Sequence, residues 1–187
     1  MRWARSPVEA PRPATLVGAA LVYAGVLAVM AWLDQPLRGG ASPLGIVSLE
    51  LARTPERARA IVSGWNELAR VHAAFALGLD FLFLVSYATL FRLSCRRVSF
   101  ALREQGSTRW AAAGALLGAL QPIAAACDAC ENAGIFCALR DVFDPSVVLA
   151  VWLLALAKFA LSGIGVGYVV LGLVVLLFAR LRSRSPA

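Results

Sequence analysis

The sequence is poor in charge and almost without lysine. Charged residues make up 16% of its 187 positions, where a soluble domain carries about 25%. Of 18 basic residues, 17 are arginine and one, Lys158, is lysine. Internal repeats and low-complexity linkers are absent, and His72 is the single histidine. So little charge excludes a soluble globular surface. The shortage of polar residues equally excludes a disordered chain, which must lack the apolar surface needed to collapse. What is present is apolar, with 60% hydrophobic residues and a mean hydropathy of +0.74. Together these define one membrane domain.

A hydrocarbon core of ~30 Å is crossed by about 20 apolar residues in a helix. Four stretches qualify, at about 15–33, 73–91, 110–131 and 147–178. They leave an outer loop at 34–72, an inner loop at 92–109, a second outer loop at 132–146 and a tail at 179–187. The first stretch follows Arg2, Arg5 and Arg12 as a signal peptide would. Its apolar run exceeds the 7–15 residues of such a segment, and no A-x-A site follows, so a retained helix is expected. The fold expected is all-α, a four-transmembrane-helix bundle.

Within the first outer loop, Thr54-Pro55-Glu56 reads as an N-cap, a proline in the first turn and an early acid. Ala58, Ile61, Val62 and Trp65 then share one face of a short amphipathic helix. That helix either rests on the headgroups or covers the mouth of the bundle as a lid. Ser63-Gly64 ends it, Asn66 caps the next helix, and Asp144-Pro145 begins the last one by the same logic.

The net charge of +7 is read as orientation. The amino terminus, the Arg92–Arg109 connection and the tail hold eleven arginines against Glu9 and Glu104, a balance of +9. The opposite side has six arginines and six acids, Glu50 among them. The positive-inside rule then places both termini in the cytoplasm. Membrane lipids are the expected contacts of these arginines, and a nucleic-acid partner is not expected.

Four ionisable residues lie inside the apolar stretches or at their outer end: Asp80, Asp128, Glu131 and Lys158. Each costs at least ~2.5–3.5 kcal/mol near the bilayer centre unless partnered. At 1.5 Å per residue, Asp80 is roughly 10 Å below the outer end of its helix, and Lys158 about 16 Å below Val147. Asp128 and Glu131 occupy the last turns of theirs. The four can therefore meet, with Lys158 flanked by Asp80 and Asp128, and Glu131 and Asn132 nearer the mouth. Gln121, Asp128 and Asn132 form one polar stripe, Lys158, Ser162 and Gly165 a second, and Asp80 with Tyr87 a third. Gly18 and Gly25 give the first helix a small face for packing. Gly114-x-x-x-Gly118 and Gly163-x-x-x-Gly167 offer close helix approach. Pro122 is expected to kink the third helix and open room beneath Asp128.

Lysine differs from arginine in being compact and in losing its proton when buried. Lys158 is then either a clamp that satisfies the acids or a proton-labile, ligand-facing group. Cys127-x-x-Cys130, with Cys137 just beyond, raises a thiol-disulfide reading. A four-helix thiol–quinone oxidoreductase needs a second cysteine pair as relay, and only Cys137 remains on that side. Adding His72 would make a Cys2His metal set, but its default is an interfacial histidine, and neither a metal nor a cofactor is expected.

The segments GIVSLELARTPERARAIVSGW, LGLDFLFLVSYATLF, CDACENAGIF and AKFAL resemble a bacterial family of four-span integral membrane proteins. Its pattern is LD-x-x-F in the second helix, CDA-x-EN in the third and a lysine followed by Phe or Trp in the fourth. The resemblance covers nearly the whole chain and brings no activity with it. It implies a bacterial cytoplasmic membrane, and it makes Asp80, Asp128, Glu131, Asn132 and Lys158 part of the family pattern. Cys130 falls at the variable position.

Three functions follow as expectations. The first is a small amphipathic ligand held by Asp80, Tyr87, Gln121, Asp128, Glu131, Asn132, Lys158 and Ser162, with Asp80, Asp128 and Lys158 the candidate catalytic groups. The second is a structural or assembly subunit, in a homo-oligomer or a membrane complex, whose charges only lock helices. The third is the oxidoreductase of Cys127 and Cys130.

Overall fold

The computed structural model describes residues 10–182. Arg2, Arg5, Glu9 and Arg184, all counted in the charge balance, lie outside them. The chain is a multi-pass membrane protein built as an up-and-down bundle of four helices, each long and apolar enough to cross a bilayer. They are α1 (Pro13–Leu33), α4 (Glu67–Glu104), α5 (Thr108–Leu139) and α6 (Pro145–Arg182). Between α1 and α4 lie a 3-10 turn (Gln35–Leu37), α2 (Ile46–Glu50) and α3 (Pro55–Ser63). No strand occurs among the described residues.

The helix starts follow their local chemistry. The Thr54 hydroxyl accepts from Arg57 N at 3.3 Å, and Asn66 Oδ1 accepts from Ala69 N at 2.9 Å. Asp144 Oδ1 accepts from Ser146 N at 2.8 Å and from Val147 N at 3.2 Å. These bonds satisfy amides that have no partner within the helix. Because hydrogen bonds donated to it favour its charged form, the Asp144 carboxyl is held below the usual range, the Ser146 hydroxyl being the largest cause.

The long helices overrun their apolar stretches. Residues 92–104, assigned to an inner loop, continue α4, and 132–139, assigned to an outer loop, continue α5. Backbone hydrogen bonding does not stop where the hydrocarbon does, and long arginines reach water from a helical backbone. The α4–α5 connection thereby shrinks to a turn in which Gly106 takes φ +81. The helix α5 runs unbroken through Pro122.

Packing is uneven. The helix α4 is central, lying against α5, α1 and α6. In contrast, α1 buries only Val26 and Leu33. The small faces assigned to packing divide in two. Around Gly114 and Gly118 there is no room: a Cβ would stand 2.2 Å from Tyr168 Oη at the first and 3.2 Å from the Arg92 carbonyl at the second. Gly18, Gly25, Gly163 and Gly167 have no neighbour within 4 Å. Those four were expected at helix interfaces; they face outward instead, because α1 and α6 are apolar all round and dock by other sides. On α6 the docking side carries Gly165, where a Cβ would come within 2.5 Å of Gln121 Nε2.

The loop of residues 34–66 folds as a roof over one end of the bundle. Ala58, Ile61, Val62 and Trp65 of the α3 face are buried, together with Leu37 and Leu49. They close on Ile135 and Ala138 of α5 and on Val148 and Val151 of α6. Of the two readings for α3, the lid is therefore the one its contacts describe. Trp65 Nε1 donates to the Leu37 carbonyl at 2.9 Å and stands 3.0 Å from Ser42 Oγ, which ties the start of the roof to its end.

Candidate functional site

Just beneath the roof, three elements bring charge to one point. Asp128 and Glu131 are three residues apart on α5 and so share a face. Lys158 approaches them from α6, with Nζ 2.7 Å from Asp128 Oδ1 and 3.0 Å from Glu131 Oε2. A third carboxylate arrives from the roof, Glu50 Oε2 at 3.1 Å from the same Nζ. Lys158, Asp128 and Glu131 are all buried.

Asp80 does not flank Lys158 as expected. Its Oδ2 instead accepts from Asn132 Nδ2 at 2.7 Å. The expectation placed Glu131 and Asn132 at the mouth; both are buried, Glu131 against the lysine and Asn132 against Asp80. The reason is the roof, which supplies Glu50 at the position expected for Asp80 and covers that end of the bundle.

Glu50 is the residue that charge counting along the sequence misplaces, since it was assigned to a neutral outer face. Its position depends on a short chain of contacts. Asp34 Oδ1 accepts from Ile46 N at 2.8 Å and so caps α2, the helix that ends in Glu50. Gly45 precedes it with φ +60, and a Cβ there would lie 2.0 Å from that same Asp34 oxygen. Asp34 in turn pairs with Arg38 at 2.9 Å. Burial holds the Glu50 carboxyl above its ordinary range, and the neighbouring Lys158 ammonium works against that shift. The signal available in the sequence is a lone acid inside the apolar run Ile46–Ala52.

Next to this cluster is a cavity of about 410 Å³, within the range of roughly 300–1,000 Å³ common to small-molecule sites. Asp80, Asp128, Glu50 and Lys158 form its polar part. Its apolar part includes Tyr23, Phe83, Tyr87 and Phe91, joined in a ring of aromatic contacts with centroids 5.5–5.8 Å apart. Phe83, Tyr87 and Phe91 recur at every fourth residue of α4, a stripe that the sequence displays but that was read only through Tyr87. Leu27 of α1 and Phe159 of α6 also line it, and both are exposed. The cavity is thus open sideways, between α1 and α6, toward the hydrocarbon.

Of the other residues assigned to a ligand, Ser162 lines the cavity, whereas Gln121, Glu131 and Asn132 do not. Gln121 is fully buried elsewhere, its Nε2 donating to the Leu117 and Leu161 carbonyls at 3.2 and 3.3 Å. Cys127, Cys130 and Cys137 are free thiols outside the cavity. His72 Nδ1 is 3.3 Å from the Leu33 carbonyl, and its ring lies against Trp32. Among the described residues, no group of three His, Cys, Asp or Glu is arranged to hold a metal ion.

Comparison with protein-family models, with curated proteins and with solved structures gives no match for this chain. The roles of these residues therefore rest on their geometry.

Proposed function

We propose that this is a multi-pass protein of the bacterial cytoplasmic membrane, with both termini in the cytoplasm, that binds or processes a small amphipathic, lipid-like molecule beneath its roof. The observation that carries the reading is the cavity itself, where a cluster of buried charge meets an aromatic wall open toward hydrocarbon. A molecule with a polar head and an apolar chain matches both halves. The asymmetry of arginine, concentrated at the end opposite the roof, supports the orientation.

Mass spectrometry of organic extracts from the purified full-length chain tests this. An amphiphile enriched over the bulk membrane lipid is expected. It should be lost from Ala31→Trp and Ser162→Phe, which fill the cavity from α1 and from α6. No enrichment, or enrichment that survives both substitutions, refutes the reading.

One observation favours the second reading, a structural lock. Lys158 joins α2, α5 and α6 through three carboxylates, which is what a clamp requires. A clamp leaves the cavity dispensable, so the same extraction separates the two.

A further inference from the structure

Neutrality is not reached in the cluster. Glu50, Asp80, Asp128 and Glu131 are four carboxyl groups, and Lys158 is the one cation within ion-pair distance of any of them among the described residues. Asp34 and Arg38, at the edge of the cavity, cancel one another. Buried charge that lacks a partner is unfavourable, and it is relieved either by a proton on one of the carboxyls or by a further positive charge in the cavity. An anionic head would find the opposite, because the one buried ammonium among the described residues already faces three carboxylates.

Two further observations concern the wall. Tyr87 is 5% exposed and lines the cavity, and its hydroxyl lies beside Asp128 without a well-formed hydrogen bond. Buried hydroxyls are ordinarily bonded, so this one leaves donor capacity at the acidic end of the cavity. Around it, Tyr23, Phe83 and Phe91 present aromatic rings, whose faces attract organic cations.

Building on the amphiphile reading, we propose that the cavity takes a lipophilic organic cation: an ammonium head directed at Asp80, Asp128 and Glu50, with a hydrocarbon chain leaving between Leu27 and Phe159. The aromatic ring and the Tyr87 hydroxyl surround the head, and the sideways opening admits the chain from the bilayer without passage through water.

The test is equilibrium binding to the full-length chain in an uncharged maltoside detergent. Three probes share one chain length: dodecyltrimethylammonium, dodecyl sulfonate and dodecanol. The cation is expected to bind at least tenfold more tightly than either of the others. Asp80→Asn should weaken the cation at least tenfold and leave the other two unchanged. Should that variant not fold, Glu50→Gln reads the same charge from the roof. Equal affinity for all three probes overturns the cation inference and leaves the amphiphile reading standing, as does a cation affinity indifferent to both substitutions. If no probe binds and extraction finds no enriched amphiphile, both fall together.

Discussion

Replacing Lys158 by methionine removes one ammonium and keeps most of the side-chain volume. The structure determines what is left behind: Asp128, Glu131 and Glu50, each within 3.1 Å of the vanished charge. Breaking a buried ion pair by deleting one partner costs about 3–5 kcal/mol. In a chain of this size, each kcal/mol lowers the melting temperature by about 2–4 °C. Lys158→Met should therefore melt roughly 6–20 °C below the parent, measured by thermal unfolding of the detergent-solubilised protein. The geometry also predicts which second substitution helps. Asp128→Asn removes a direct partner and should recover part of the loss, through a coupling of about 0.5–3 kcal/mol. Asp80→Asn should recover none, since Asp80 is bonded to Asn132 and not to the lysine. A Lys158→Met protein that melts within about 2 °C of the parent, or a rescue by Asp80→Asn as good as that by Asp128→Asn, refutes the arrangement.

Glu50 gives a prediction in pH. Its folded carboxyl is raised above the ordinary 4.5, chiefly by burial. The folded state then keeps a proton that the unfolded chain releases, so this group's contribution to stability declines as pH rises above about 4.5. Glu50→Gln removes that dependence, and the melting-temperature difference, parent minus variant, should fall as pH rises above about 4.5. A flat difference contradicts it. For the helix faces, Gly165→Ala forces a Cβ onto Gln121 and should destabilise by about 1–3 kcal/mol. Gly163→Ala, two residues away with open space around it, should stay within about 0.5 kcal/mol. Urea or thermal unfolding in detergent checks the pair, and equal effects would put the docking side of α6 in the wrong place.

Much of this molecule is legible in its sequence, for identifiable reasons. Long apolar runs have one solution in a bilayer, so the spans and their alternation follow. Thr54, Asn66 and Asp144 announce helix starts because capping is local. Depth alone brings Asp128 and Lys158 to the same level, and they pair. Glu50 is a different case. It sits in a helix of five residues, too short to show a period, and it reaches Lys158 only because Asp34, twelve residues before Ile46, holds α2 in place. Asp80 was given the wrong partner for the same reason, since nothing in the second helix reveals that the roof supplies a carboxylate. The faces of α1 and α6 were unreadable in another way. A helix apolar on every side shows no stripe, and only the neighbours it meets decide which glycines are inside.

The roof has a consequence for the order of assembly. Its apolar residues come from the loop after α1, but the surface they close on, Ile135, Ala138, Val148 and Val151, belongs to the last two helices. A chain made from its amino terminus presents Ile61, Val62 and Trp65 long before that surface exists. Until α6 arrives, the loop meets only the part of that surface supplied by α4 and α5, and Glu50 has no lysine to meet. Both are completed by the same event, so the arrival of the final helix closes the bundle, seats its cover and settles its buried charge in a single step.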